Sequence, residues 1–217
     1  MTGKHTRLLS QVGLVLTLSS GVSYGEGLTF DFKDPKGVNS MTFVLDSLLE
    51  PIMGMASGVS GKITFDPADP GAASGEIAVD ATSLHVMNEK MKEVLHGEDW
   101  LDVKKHPTIS FRFDKVKNVH TAENQVFSFT AVGDFTCKGT TRRLEIPVSA
   151  TFLAGQLEKR LRDAKGDLLI VRSEFKIDRK DFGIKPDTGA AIVAEDITVR
   201  VAIVGCAFAE SENAQGD

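Results

Sequence analysis

Ile109-Ser110-Phe111-Arg112-Phe113 turns its bulky apolar side chains one way and its polar ones the other, and Phe127-Ser128-Phe129-Thr130-Ala131 does so again. Successive side chains of an extended strand point to opposite faces, so each stretch is a strand wetted on one side and buried on the other. Two of them in succession specify a curved antiparallel sheet around an apolar interior. Whether that interior is solid or hollow decides what the protein does.

Outward from this pair, strand-like alternation continues through 28–32, 40–45, 62–66 and 76–80 on one side and 144–152, 168–177 and 197–208 on the other. Turn chemistry separates the runs, as in Asp34-Pro35-Lys36-Gly37, Asp66-Pro67 and Asp69-Pro70-Gly71. Eight or more short antiparallel segments predict a closed barrel or a sandwich, and closure removes exposed edges. Two segments break the period. At 88–95 a stripe of Met87, Met91, Val94 and Leu95 predicts a short helix covering one end of the sheet. The charged stretch 155–166, with Leu157 and Leu161 four apart, reads as a second short helix or a long hairpin excursion. Segment 51–60, with Gly54 and Gly58, reads as a flexible crossing in which Met53 and Met55 cap an apolar opening or fill core gaps.

The first 25 residues stand apart. Lys4, His5 and Arg7 precede an apolar run at 8–18 and a small-residue stretch, the order of a secretory signal cleaved near Gly25 or Ser23. The remainder, 26–217, carries no internal repeat, low-complexity tract or linker and is read as a single domain of an exported protein. Losing Lys4 and Arg7 with the leader takes the formal charge from -5 to -7, and the lysine-rich stretches are answered by neighbouring acids. Such a surface gives no support for nucleic-acid binding. Cys137 and Cys206 are too few for a disulfide scaffold, and whether they form one bridge is open.

The predicted inward set includes Phe43, Phe65, Phe111, Phe113, Phe127, Phe129, Phe135, Phe152 and Phe175. Thirteen phenylalanines stand against one tryptophan and one tyrosine, so a hollow interior would take a long hydrocarbon in preference to a polar metabolite. A solid interior would make the same residues plain core. Catalytic and cofactor motifs are absent: GMASGVSG at 54–61 fits neither a dinucleotide fingerprint nor a phosphate loop, and His85, His96, His106 and His120 lack metal-ligand spacing. The sequence therefore predicts no catalytic residue, no metal and no cofactor. An enzyme using His106 and Asp102 is kept as one alternative, and a solid structural or protein-interaction barrel of the cell envelope as another.

Four stretches carry a resemblance: Gly61 to Asp66 (GKITFD), Asp99 to Phe111 (DWLDVKKHPTISF), Gly133 to Thr141 (GDFTCKGTT) and Asp178 to Ile184 (DRKDFGI). In this order and spacing they resemble the YceI-like family of exported lipid-binding barrels, over about residues 28–208. The resemblance implies an all-β fold, an extended antiparallel eight-stranded lipocalin-like barrel with a short helix covering one end. It implies non-catalytic binding, carriage or storage of a polyisoprenoid or related long apolar lipid in the periplasm. Phe43, Phe65, Phe111, Phe113, Phe127, Phe129 and Phe175 are the expected tail contacts, with Asn39 and Arg179 as polar contacts. Arg179 and Asp181 are expected to form a charge-assisted bond at the barrel mouth, Phe182 packing beneath them, and Trp100 takes the family's aromatic position. Gly54, Gly58 and the helix around Met91 are the candidate lid. The chain departs from the family pattern at Met91-Lys92, where relatives carry an Arg-Asp pair, and at Asn39-Ser40, where many carry His-Ser. A homodimer and peripheral membrane contact stay open.

Overall fold

The computed structural model describes residues 27–209. Its strands are β1 (Leu28–Asp31), β2 (Ser40–Ser47), β3 (Ile52–Ala56), β4 (Val59–Phe65), β5 (Ser74–Asp80), β6 (His85–Val86), β7 (Thr108–Ala122), β8 (Val126–Cys137), β9 (Thr140–Leu153), β10 (Gly166–Asp178) and β11 (Val193–Phe208). One α-helix, α1 (Glu89–His96), lies between β6 and β7. Eight strands, in the order β1-β4-β5-β7-β8-β9-β10-β11, close into an antiparallel barrel through contact of β11 with β1. The remaining three, β2, β3 and β6, follow β11 in the same sheet, and Met41, Phe43 and Leu45 of β2 with Ala56 of β3 line the interior. The leader expected at 1–25 falls outside the described residues.

Alternation and register agree along the deciding pair. Phe111 lies opposite Phe135 and Phe113 opposite Gly133, and the ladder slips between Phe113 and Lys115. Gly133 makes this crossing workable, since a Cβ there would stand 2.1 Å from the Arg112 carbonyl oxygen.

Two expectations are corrected, at 51–60 and along the helix, and at 155–166 the long hairpin excursion is the alternative that forms. Segment 51–60 is no flexible crossing: β3 and the start of β4 occupy it, and β3 pairs with β2 from Ile52 to Ala56. Gly54 sits inside β3, where a Cβ would meet the Phe43 ring at 2.5 Å, so its missing side chain makes room for an aromatic ring. Met53 is 54% exposed, and neither it nor Met55 lines the interior. The helix exists, capped by Asn88, whose side chain accepts from Met91 N at 3.0 Å, but its inward face is Leu95 and Met91. Met87 precedes the cap and, like Val94, faces solvent. At 155–166 a short 3-10 turn (Leu157–Lys159) folds over the outside of the barrel and buries Leu157 on Leu168 and Cys206.

Cys137 and Cys206 are unpaired. Cys137 faces the interior, whereas Cys206 lies beneath the outer excursion, so the barrel wall separates them.

Candidate functional site

The barrel interior divides along its axis. Toward the end where β1, the β7–β8 turn and the outer excursion lie, Phe30, Phe32, Phe65, Phe127 and Phe152 are between 0% and 3% exposed and fill the section. Phe30 meets Phe152 edge-on with centroids 6.2 Å apart, and Phe65 meets Phe127 in the same way at 5.2 Å. Toward the α1 end the section is hollow, holding a cavity of about 180 Å³. Among the described residues no Asp, Glu, Lys, Arg or His lines it.

Six of the seven phenylalanines predicted as tail contacts line this cavity: Phe43, Phe65, Phe111, Phe113, Phe129 and Phe175. Phe127 does not; it belongs to the filled section, with Phe65 at the boundary. Leu84, Leu95, Trp100 and Ile184 line the α1 end. Leu95 belongs to the helical stripe expected to cover one end of the sheet, whereas the sequence reading did not assign Leu84, Trp100 and Ile184 to the interior, because they lie on loops where no period of two marks them. Cys137 was also missed, although it continues the inward parity of Phe129, Ala131 and Phe135.

The two polar candidates are built into the scaffold. Asn39 is 2% exposed and lies outside the cavity lining. Its Nδ2 donates to the carbonyls of Phe32 and Val204, both at 3.0 Å, and its Oδ1 accepts from Val204 N at 2.9 Å. β11 pairs with β2 as far as Ala202 and with β1 at Cys206, so Val204 falls between its two neighbours. The Asn39 amide takes the place of a strand there, donating and accepting as a peptide group would. Beside it Asp34, whose side chain is 2% exposed, pairs with Arg160 at 2.8 Å. Burial opposes its charge, but the backbone N–H groups of Lys36, Val38 and Asn39, with Arg160, hold the Asp34 carboxyl below the usual value.

Arg179 is fully buried, also outside the lining. Its expected bond to Asp181 is replaced by bonds to five main-chain carbonyls, those of Ala194, Ile184, Lys185, Thr188 and Val193. The side chain thereby ties the loop between β10 and β11 across the hollow end. Phe182 does pack inward as expected, edge-on against Phe135 at 5.4 Å.

The wall of the hollow section has a split seam. β8 and β9 are paired without interruption from Cys137–Thr140 to Val126–Thr151. β9 and β10 pair only at 149–153 against 168–172. The ladder stops beside Pro147, which has no N–H to donate, and the Ser173 hydroxyl donates to the Pro147 carbonyl at 2.6 Å. Below that point 140–148 and 173–178 run on without pairing to each other, until Lys138 Nζ reaches the Gly183 carbonyl at 2.7 Å. An outer groove flanked by Arg172, Glu174 and Arg200 shares Phe129, Val148, Ser173 and Val201 with the cavity lining.

His106 and Asp102 do not line the cavity. The His106 backbone N–H donates to the Asp102 carbonyl at 2.8 Å, and the Asp102 carboxylate pairs with Lys105 at 3.0 Å. Among the described residues no group of three His, Cys, Asp or Glu side chains is placed to hold a metal, and no helix is long and apolar enough to cross a membrane.

Comparison with known proteins follows this geometry. The YceI-like domain matches residues 34–205. Protein YceI of Escherichia coli O157:H7 is 26% identical over 182 residues, 82% of this chain and 89% of that protein. A UPF0312 protein of Ectopseudomonas mendocina is 23% identical over 205 residues, covering 91% and 98%. Among solved structures, BcnA of Burkholderia cenocepacia superposes with a TM-score of 0.61 at 21% identity, over 76% of this chain and 95% of that one. A polyisoprenoid binding domain from Saccharophagus degradans, implicated in plant cell wall breakdown, superposes at 0.58 with 10% identity, over 83% and 99%. These likenesses are to the barrel.

Proposed function

This chain belongs to the YceI-like domain family, and on that premise we propose that it binds, carries or stores a polyisoprenoid or related long apolar lipid in the periplasm, without bond making. The observation that carries this reading is a cavity lined by phenylalanine and aliphatic side chains with no charged group among them. Each methylene moved from water into such a lining contributes about 0.8 kcal/mol before ordering costs, so affinity needs no catalytic group. The Saccharophagus degradans neighbour, described as polyisoprenoid-binding, supports the same ligand class.

At about 180 Å³ the cavity is smaller than the roughly 300–1,000 Å³ of most ligand pockets. A long chain therefore enters by displacing side chains, and the split seam between β9 and β10 is where the wall gives way with no ladder to break. The groove outside it, which shares Val148 and Ser173 with the cavity lining, receives the part of the chain that the interior does not hold.

Native mass spectrometry of gently purified protein, followed by organic extraction, tests the reading. The expected result is one apolar adduct per chain. A clean apo mass that persists after incubation with polyprenols would overturn it in favour of a structural barrel, and turnover of the lipid abolished by His106→Ala would overturn it in favour of an enzyme.

A further inference from the structure

Six of the eleven large apolar side chains that stand exposed among the described residues gather at the α1 end of the barrel: Val44, Leu48, Leu49, Met53, Met87 and Ile192. Strand alternation and pairing bring them together. Phe43 and Leu45 of β2 line the interior, so Val44 between them faces out, beside its register partner Met53 of β3. β6 pairs Val86 with Gly54, and the chain continues at Met87 alongside Met53. β2 ends at Ser47 against Val193, and Leu48 N donates to the Ile192 carbonyl at 2.9 Å, which joins the β2–β3 turn to the loop before β11. Single exposed apolar residues are ordinary, but a contiguous set marks a surface made to be covered.

The turn itself presents leucine. Tight turns ordinarily carry Gly, Asn, Asp or Ser, whereas Leu48 and Leu49 stand 73% and 89% exposed here. Ser47 clamps the turn, its hydroxyl donating to the Glu50 carbonyl and accepting from Glu50 N at 3.3 Å. The leucines therefore project from an ordered tip, and little backbone order remains to be imposed on contact.

Charge around the tip selects what covers it. Asp46 and Glu50 flank the two leucines and Asp187 shares the loop of Ile192. The cations of this end are spent elsewhere, Lys180 on Glu195, Lys185 on Asp99 and Lys138 on the Gly183 carbonyl. Past Met87, Glu89, Lys90, Lys92 and Glu93 of α1 sum to no net charge. Such an acidic rim repels an anionic leaflet. A second copy docked tip to tip about a twofold axis would set each rim of carboxylates against its own counterpart. A leaflet rich in phosphatidylethanolamine answers both features, because its acyl chains receive the leucines and its ammonium groups donate to the carboxylates.

We propose that the β2–β3 turn and its apolar neighbours form a docking surface for a zwitterionic, phosphatidylethanolamine-rich bilayer. Leu48 and Leu49 enter the acyl boundary, and Asp46 and Glu50 meet the ethanolamine ammonium groups. Docking in this way sets the hollow end of the barrel against the leaflet. The assignment stands on the outer surface and needs no occupant in the cavity.

Vesicle flotation of the full chain tests it, with phosphatidylcholine alone, phosphatidylcholine with phosphatidylethanolamine, and phosphatidylcholine with phosphatidylglycerol. Wild-type protein is expected to float best with the phosphatidylethanolamine vesicles and least with the phosphatidylglycerol ones. Leu48→Ser/Leu49→Ser is expected to lose about tenfold or more in vesicle affinity. Because both leucines are exposed, its denaturant midpoint is expected to match the wild type. Asp46→Asn/Glu50→Gln is expected to keep binding to phosphatidylcholine and to lose the preference for phosphatidylethanolamine. Wild-type protein that floats with none of the vesicles, a leucine variant that floats as well as the wild type, or flotation that grows with phosphatidylglycerol overturns the assignment. A wild-type dimer that the leucine variant converts to monomer in sedimentation overturns it in favour of a second copy. Each of these results leaves the cavity reading intact, since the lipid adduct is measured without vesicles.

Discussion

The two sections of the barrel are made of the same residue types in the same alternation, yet one is packed and the other is empty. In the filled section five phenylalanines, Phe30, Phe32, Phe65, Phe127 and Phe152, are buried, and Phe30 meets Phe152 and Phe65 meets Phe127 edge to face. In the hollow section Phe111 and Phe113 stack along one strand with centroids 6.1 Å apart, and Phe43, Phe111 and Phe175 remain only partly buried. The difference lies in what reaches across. Around the filled section the strands are paired through β1 and β11, and rings from opposite walls touch. Around the hollow section β2 takes over the edge of β11 and the β9–β10 ladder opens, and although Phe135 meets Phe175 and Phe182 edge-on, the side chains there leave a cavity of about 180 Å³. A phenylalanine facing inward is thus a statement about direction, and the strand pairing around it decides whether it is core or lining.

The sharpest way to break that comparison is to remove one ring from each section. Phe127→Ala empties a fully packed site and is expected to cost about 3–5 kcal/mol in denaturant unfolding, with lipid capacity unchanged if the protein is assayed well below its midpoint. Phe111→Ala takes away a ring that already borders open space, so the expected cost is about 1–2 kcal/mol, and the cavity grows. Equal costs at the two positions would show that the cavity closes in solution.

How much of this was legible in the sequence follows from the same logic. The alternation of 109–113 and 127–131 fixed face and fold class, because side-chain direction in a strand is local. It placed Phe43, Phe65, Phe111, Phe113, Phe129 and Phe175 at the cavity. It misplaced Phe127 there because burial among Phe65 and its neighbours depends on partners distant in the chain. Segment 51–60 read as a crossing because Gly54 is a weak strand former; the Phe43 ring and the His85 carbonyl oxygen beside it explain the glycine. Asn39 and Arg179 read as polar ligands since a lone amide or guanidinium near an apolar interior carries no mark of its partner. Their partners are main-chain groups of Val204 and of residues 184–194, which no side-chain pattern announces.

Asn39 and the split seam form a second contrast, since both are places where a strand lacks a neighbour. Asn39 fills its gap with an amide, whereas 140–148 and 173–178 have no ladder between them. Asn39→Ala is expected to strand the N–H and C=O of Val204 and the carbonyl of Phe32, at about 2–3 kcal/mol of stability. Asn39→Asp, which keeps the acceptor but loses both donors, is expected to recover little. If Asn39→Ala unfolds at the wild-type denaturant midpoint but loses lipid, Asn39 is a ligand contact after all and its place in the wall is incidental.

The smallest effect, and the one that reports on the cavity without disturbing it, concerns the two thiols. Burial raises both above the ordinary range, Cys137 to about 12, where the charge of Lys138 offsets it only in part. Since the thiolate is the reactive form and the shift is upward, the fraction ionised rises about tenfold per pH unit and stays minute at neutral pH. N-ethylmaleimide is therefore expected to modify both residues slowly, Cys137 accelerating between pH 7 and pH 10 without a plateau. The comparison enters through access. Cys137 borders the hollow section and Cys206 sits under Leu157 on the outer wall, so a bound lipid is expected to slow Cys137 a few-fold and leave Cys206 unchanged. Equal protection of both would mean that the ligand tightens the whole barrel, and protection of Cys206 alone would place the ligand on the outer surface. Only selective slowing of Cys137 fits a lipid whose tail occupies the half that the phenylalanines leave open.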